Sequence, residues 1–400
     1  MNNVKLHCSL NKPELKISEN PHALYLLVDI ETENFSNTKK NIPLNIAMVI
    51  DKSGSMYDDG KLDNVILALH HVVDVLKPED VLFVIAFADS AVSINRTAKN
   101  ENRQELKAAI NNLDEIDIGY KTNLTTGLET ALIEIKANFR KNGINKIFIL
   151  TDGEVDNESE CRRIIEREKN SGISFTTIGV GEEFNEEFLI SVAKNSGSGS
   201  YYIENPADIP SIFTTELENL NSAIFKDCKL KIETGEGVQV KQLARSEPEI
   251  ALFTENDTVK FDTLRPGVKQ SVLVELVVFP KTKGKSVLAE VQLFSAGELL
   301  VQESVYIKIT SDAVYTQPLS FAFTEALDKV NNFRIQTRAL DKLKRGQPRE
   351  AEKIFTQVLG KKIKNKEKTN TLLTQVIEQI QTTQKLDPVM TKRLTYSMKK

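Results

Sequence analysis

Cysteine is scarce in this chain: Cys8, Cys161 and Cys228 are all that 400 residues contain. An odd number at wide spacing builds no disulfide framework, and the scarcity points to a reducing compartment. Long apolar runs are missing too. No stretch approaches the roughly 18 uninterrupted apolar residues of a spanning helix, and Met1–His7 carries no apolar run of signal-peptide length. A cytoplasmic location is the expectation, and the sequons at Asn95 and Asn123 then read as chance matches. No Gly-x-x-x-x-Gly-Lys-Ser/Thr loop occurs, so the chain is not expected to bind ATP by itself. No Gly-x-Ser-x-Gly elbow surrounds Ser53. The nearest histidines, His70 and His71, lie inside a helical stretch at a spacing that puts them on different faces. Ser-His-Asp hydrolysis is therefore not expected.

Charge is nearly balanced at −4, but unevenly spread. Residues 321–400 carry 18 Lys/Arg against 8 Asp/Glu, a net of +10, and residues 1–320 a net of −14. A basic run of this kind is a solvated helical face or a docking surface for an acidic partner.

Hydrophobic patterning divides the chain into four. Residues 1–40 hold strands, the best being Leu24–Ile30. From 44 to 220, short apolar runs at 44–50, 81–87, 91–95, 146–151, 174–180 and 200–203 alternate with helical stretches at 61–76, 102–113, 124–139, 159–170, 186–195 and 208–221. The stripe Leu62, Val65, Ile66, Leu69, Val72, Val73 and Leu76 marks one helix face. This alternation predicts an α/β fold, a doubly wound and mostly parallel sheet with helices on both faces. Only Ala88-Asp89-Ser90 separates 81–87 from 91–95, too little for a crossover, so that pair is expected to be an antiparallel edge hairpin. Residues 225–312 alternate with period two around a turn at Gly297-Glu298 and read as an antiparallel β-sandwich. The strands of 1–40 lack a parallel partner and are assigned to this sandwich, which makes the α/β region an insertion. Residues 318–400 read as a helical tail, with Gly346-Gln347-Pro348 breaking one helix pair.

Chemistry concentrates at the ends of two buried runs. Ile46–Ile50 leads into Asp51-Lys52-Ser53-Gly54-Ser55, and Ile147–Leu150 into Thr151-Asp152-Gly153-Glu154. Between them Lys121-Thr122-Asn123-Leu124 opens a helix. In an open α/β sheet, ligands bind outside the carboxyl ends of the strands. The donors there are all oxygens, which suit Mg²⁺, Mn²⁺ or Ca²⁺ rather than zinc. The competing reading makes Asp51, Ser53 and Asp152 helix caps.

The same residues resemble the metal-ion-dependent adhesion site of von Willebrand factor A domains. Asp51, Ser53 and Ser55 match its Asp-x-Ser-x-Ser, Thr122 its lone threonine and Asp152 its lone aspartate. The resemblance covers about Leu44 to Leu220. It implies that the serines contact the metal directly, that the aspartates act through water or hydrogen bonds, and that Thr122 engages or releases as the site changes state. Gly119-Tyr120-Lys121 departs from the small glycines common before that threonine. The flanks are similar to those of bacterial proteins with the domain set into a β-sandwich and followed by helices.

Two functional classes follow. In the first, the metal grips an exposed Asp or Glu of a partner protein, with a separate ATPase or signalling enzyme as the associate; no specific nucleic acid and no membrane span are expected. In the second, the acidic cluster serves a metal-dependent hydrolase or phosphoryl-transfer enzyme. That class requires a base or a second metal, for which only Asp58, Asp59, Glu154 and Asp156 lie near in sequence. Binding without catalysis is the favoured reading.

Overall fold

The computed structural model describes residues 4–33, 42–94, 102–253, 257–312, 318–360 and 367–400. In chain order the first strands are β1 (Val4–Leu10), β2 (Glu14–Lys16) and β3 (His22–Thr32). An α/β region follows: β4 (Leu44–Asp51), α1 (Lys61–Val75), β5 (Val81–Phe87), β6 (Ala91–Ser93), α2 (Arg103–Asn111), α3 (Leu124–Ala137), β7 (Ile144–Thr151), α4 (Glu158–Arg167), β8 (Ile173–Val180), α5 (Glu186–Ser196), β9 (Ser200–Ile203) and α6 (Ile209–Asn221). Next come β10 (Phe225–Thr234), β11 (Val238–Glu247), β12 (Ala251–Phe253), β13 (Thr258–Leu264), β14 (Gln270–Val278), β15 (Gly284–Ser295) and β16 (Glu298–Thr310). The chain ends in α7 (Phe321–Lys344), α8 (Pro348–Gly360), α9 (Glu367–Thr383) and α10 (Pro388–Met398).

The α/β sheet has the order β6-β5-β4-β7-β8-β9, parallel except for the β5–β6 hairpin. The antiparallel edge was expected; Asn95, assigned to that edge strand and also a sequon, lies outside the described residues. Every residue of β4, β5, β7 and β8 is buried, as strands covered on both faces require. On one face Val65, Leu69 and Val72 of α1 join Phe213 and Leu217 of α6 over Met48, Ile50 and Phe148. On the other, α3 comes so close that a Cβ on Gly127 would stand 2.9 Å from Val49 Cγ1. The chain runs from β4 outward to β5, then returns to the far side of β4 as β7. The strand order therefore reverses at β4, and a crevice opens at the carboxyl ends of β4 and β7.

A buried polar network that periodicity does not reveal sits in the same unit. The Lys146 side chain is 1% exposed. Its ammonium donates to Ser198 Oγ at 3.0 Å and to the Asp262 carboxylate, and lies 3.9 Å from Glu216. Thr176 and Tyr201 donate to Glu216 in turn. Asp262 arrives from beyond residue 228: the α/β unit comprises residues 35–228 together with 260–265.

The second unit contains two sheets, β1-β3-β14-β11-β12 and β13-β10-β15-β16-β2. The boundary between the units falls within β10 and β13. β3 pairs antiparallel with both β1 and β14, so the α/β region is inserted in the chain between strands of one sheet. Two local features differ from expectation. β2 runs parallel to β16, Glu14 opposite Lys308, where an antiparallel sandwich was expected. The β15–β16 hairpin turns at Ala296-Gly297 rather than Gly297-Glu298, with φ of 48° and 85°. Two consecutive positive φ values match the right-handed strand twist, which is why glycine sits at the second position.

α7 explains why β14 is buried at almost every position instead of alternating. Phe323, Ala326 and Val330 cover Leu27, Ala244 and Leu273 on that sheet. The basic helices are accordingly not a uniformly solvated face: Arg334 is paired with Glu275 and Lys329 with Glu247. α7 and α8 meet as the sequence pattern predicts, Ala339 and Leu340 against Ala351 and Phe355. α9 and α10 close that core with Leu373, Val376, Ile380 and Leu394. Cys161 and Cys228 are buried and all three cysteines are free.

Removing one partner of a buried charge network strands the others without counter-charge. Lys146→Met is expected to lower unfolding free energy by about 3–5 kcal/mol, read by urea denaturation. Combining it with Glu216→Gln and Asp262→Asn is expected to recover most of the loss, because no uncompensated carboxylate then remains. A single variant as stable as the wild type would contradict the assignment.

Candidate metal centre

Strand ends and a helix start position the cluster. Asp51 is the last residue of β4 and Thr151 the last of β7, on adjacent strands whose register pairs Ile50 with Leu150. Beyond β4 the chain turns at once: the Ser53 amide donates to Asp51 Oδ1 at 2.8 Å. This turn carries Ser53 and Ser55 back over the sheet edge, their Oγ atoms 3.3 Å apart. Ser55 Oγ then donates to Asp152 Oδ1 at 2.8 Å, linking the first loop to the one after β7. The third loop precedes α3. Gly119 has φ of +91°, and a Cβ there would fall 1.8 Å from Asp89 Oδ2, so only glycine fits. Asp89 Oδ2 takes the Tyr120 amide at 2.8 Å, and the Tyr120 carbonyl takes the Gly54 amide at 3.2 Å. Thr122 is thereby held at the end of its loop, its Oγ1 3.5 Å from where a Cβ on Gly153 would lie, and its carbonyl accepts the Asp156 amide at 3.2 Å.

All five residues singled out from sequence converge on one end of the sheet. The capping alternative fails, because α1 is preceded by Gly60 and α4 by Asn157. His70 is elsewhere, with Nε2 2.6 Å from Asn111 Oδ1. Lys52 lies inside the Asp-x-Ser-x-Ser segment but turns away from solvent. It is buried, its ammonium is bonded to the Tyr57 hydroxyl and lies 5.0 Å from that ring, and so it does not face outward. Tyr120 is 76% exposed beside the cluster, and Lys121 extends into solvent with Asp89 at 3.8 Å.

Two participants were not identified from sequence. Thr151 Oγ1 donates to Asp51 Oδ2. Lys61, the first residue of α1, places its ammonium 2.6 Å from Asp152 Oδ2 and 3.2 Å from the Ser55 carbonyl. A signal for Lys61 existed: a cation at a helix N-terminus opposes the helix dipole, so its place there needs another cause.

Electrostatically, Asp51 is the unusual member. It is bonded by the Thr151 hydroxyl and the Ser53 amide, lies near the Asp152 carboxylate, and has no ion pair among the described residues. Burial pushes its pKa up to about 6, against the lowering effect of the bonds from Thr151 and Ser53. The donor set fits a hard cation: two carboxylates and three hydroxyls, oxygens only, with one buried carboxylate still lacking positive charge.

A carboxylate whose pKa is raised on folding stabilises the fold when protonated and penalises it when ionised. The penalty of Asp51 therefore grows as pH rises from about 4 to about 6 and is complete above that. In EDTA-treated protein at pH 7, Asp51→Asn is expected to be more stable than wild type by on the order of 2–3 kcal/mol. The gap should close as pH falls to about 4. Denaturation of both proteins across that range checks this, and a variant less stable at pH 7 would contradict it.

The family model for the von Willebrand factor type A domain matches residues 45–215. The chain is 27% identical over 244 residues to the uncharacterized protein YfbK of Escherichia coli, a match covering 58% of this chain and 42% of that protein. It is 24% identical over 322 residues to the uncharacterized protein sll0103 of Synechocystis, covering 77% and 76%. Among solved structures, a von Willebrand factor type A protein from Catenulispora acidiphila superposes with a TM-score of 0.81 at 17% identity, covering 100% of this chain and 97% of that one. The ArnB paralog VWA2 from Sulfolobus acidocaldarius gives 0.63 at 16% identity, covering 99% and 98%. Residues 45–215 are thus a von Willebrand factor type A domain, which this chain carries between strands β3 and β14 of one sheet.

Proposed function

We propose that this protein is a metal-dependent protein-interaction module: a divalent cation, Mg²⁺, Mn²⁺ or Ca²⁺, is held by Asp51, Ser53, Ser55, Thr122 and Asp152 and grips an Asp or Glu side chain of a partner protein. The observation that supports this most is the convergence of Ser53, Ser55, Thr122 and Asp152 on the end of the sheet that holds Asp51, a buried carboxylate with no ion pair among the described residues. When bound, the cation supplies an open coordination position that attracts an incoming carboxylate, because two protein carboxylates leave its hydroxyl-rich shell short of oxygen donors. Ser53 and Ser55 are the direct donors in this reading, and Asp51 and Asp152 orient them. Thr151 and the Ser53 amide keep the Asp51 carboxylate turned into the cluster. Tyr120, exposed at the rim, is the aromatic anchor for the partner, and Lys121 beside it adds positive charge. The associate is an acidic protein surface, such as that of a separate ATPase or signalling enzyme in the cytoplasm, and no catalytic step is assigned to the cluster.

Calorimetry is expected to show about one Mg²⁺ or Mn²⁺ per chain. Asp51→Ala or Asp152→Ala should weaken binding at least tenfold with the circular dichroism of the fold retained; tight binding by Asp51→Ala would contradict the assignment. In affinity capture, EDTA should release the partner and Mg²⁺ restore it. Tyr120→Ala should lower capture while leaving metal affinity unchanged. A partner retained equally in EDTA would place the contact elsewhere.

A further inference from the structure

Asp152 is buried completely, yet it is not left without a cation as Asp51 is. Its Oδ1 takes the Ser55 hydroxyl, and its Oδ2 takes the Lys61 ammonium at 2.6 Å. The Lys61 side chain is 14% exposed, so it keeps contact with solvent while the carboxylate has none. The backbone delivers it there by an unusual route. Asp59 and Gly60 both adopt left-handed conformations, φ 54° and 67°, immediately before α1. That reversal places the first helical residue back over Ser55, whose carbonyl accepts a second bond from Lys61 at 3.2 Å. Helix physics disfavours a cation at this position. The carboxylate across the cluster, not the helix, holds it.

We propose that Lys61 is a tethered cation that closes the site in its metal-free form: its ammonium takes the Asp152 carboxylate facing the cluster, and it must leave for a divalent ion to enter. This inference rests on the metal reading given above. Lysine suits the part. Its charge is a compact point on a flexible four-carbon stem with three rotatable donors, so it can let go of one acceptor and swing outward without moving the backbone. Arginine, a planar fork that pairs with a carboxylate through two bonds, would release less readily. An ammonium and a divalent ion cannot share one carboxylate in a site with little water, since like charges at contact distance repel strongly there. The closed form therefore holds Asp152 in register, and the formal charges of Asp51, Asp152 and Lys61 sum to −1. Entry of a divalent ion exchanges one cation for another. By linkage, metal and Lys61 oppose each other to the same degree in both directions.

Two measurements on the full chain test this, with Mg²⁺ and Mn²⁺ themselves as probes. In calorimetry, Lys61→Met, which keeps the stem and removes the charge, is expected to bind metal about fivefold or more tightly than wild type. In wild-type protein, acylation of lysines read by mass spectrometry is expected to increase at Lys61 on adding saturating metal, while Lys146, buried away from the cluster, stays unlabelled. The labelling arm needs no variant and stands even if Lys61→Met does not fold. Wild-type binding with equal or weaker binding by Lys61→Met, or Lys61 labelling unchanged by metal, overturns the tethered cation and leaves the metal site standing. Absence of metal binding in both proteins overturns the metal site and the tethered cation together.

Discussion

The position of β4 between two parallel neighbours is the constraint on which the rest depends. β5 and β7 flank it in the same direction, so the chain must cross from one side of β4 to the other, and no helix can cover the gap where it does. That gap lies above the carboxyl ends of β4 and β7. Residues ending those strands emerge from a fully buried sheet into a polar crevice. Asp51 belongs to both worlds: its backbone is in the sheet and its carboxylate is in the crevice. A hydroxyl and an amide bond it without neutralising it, which is costly for a fold.

Much of this was legible in the sequence because the signals were redundant. The strands of the α/β region are continuous apolar runs between amphipathic helices, and each core face was visible twice, as a strand run and as the stripe of the helix above it. The five cluster residues were legible because each follows or precedes such a run, so that placing the strands placed the oxygens. What could not be read depends on partners distant in sequence. Lys146 looks like an interruption of an apolar strand; its counter-charges, Glu216 and Asp262, lie 70 and 116 residues on. Lys61 looks like an ordinary charged helix residue until the loop after β7 is folded against it. The full burial of β14 came from α7, which lies outside the strand pattern altogether. Lys52 sits inside the Asp-x-Ser-x-Ser segment, and its inward turn onto Tyr57 depends on the fold of the loop that follows.

Two lysines thus receive opposite treatment in one unit. Lys146 is locked among three polar partners, with almost no surface and nowhere to go. Lys61 is bonded just as closely, yet its side chain is 14% exposed. By bond length the two are alike; what separates them is contact with solvent.

The six residues 260–265 give the α/β unit a property that its main segment alone would lack. The unit is composite: its continuous stretch buries a lysine whose strongest counter-ion is supplied from a later strand. During synthesis, residues up to 228 emerge before Asp262 exists to meet Lys146. The unit is therefore electrostatically incomplete until the chain has passed through β10, β11 and β12 and returned. A nascent or cleaved chain stopping short of Asp262 therefore carries a buried lysine without that counter-charge in its core.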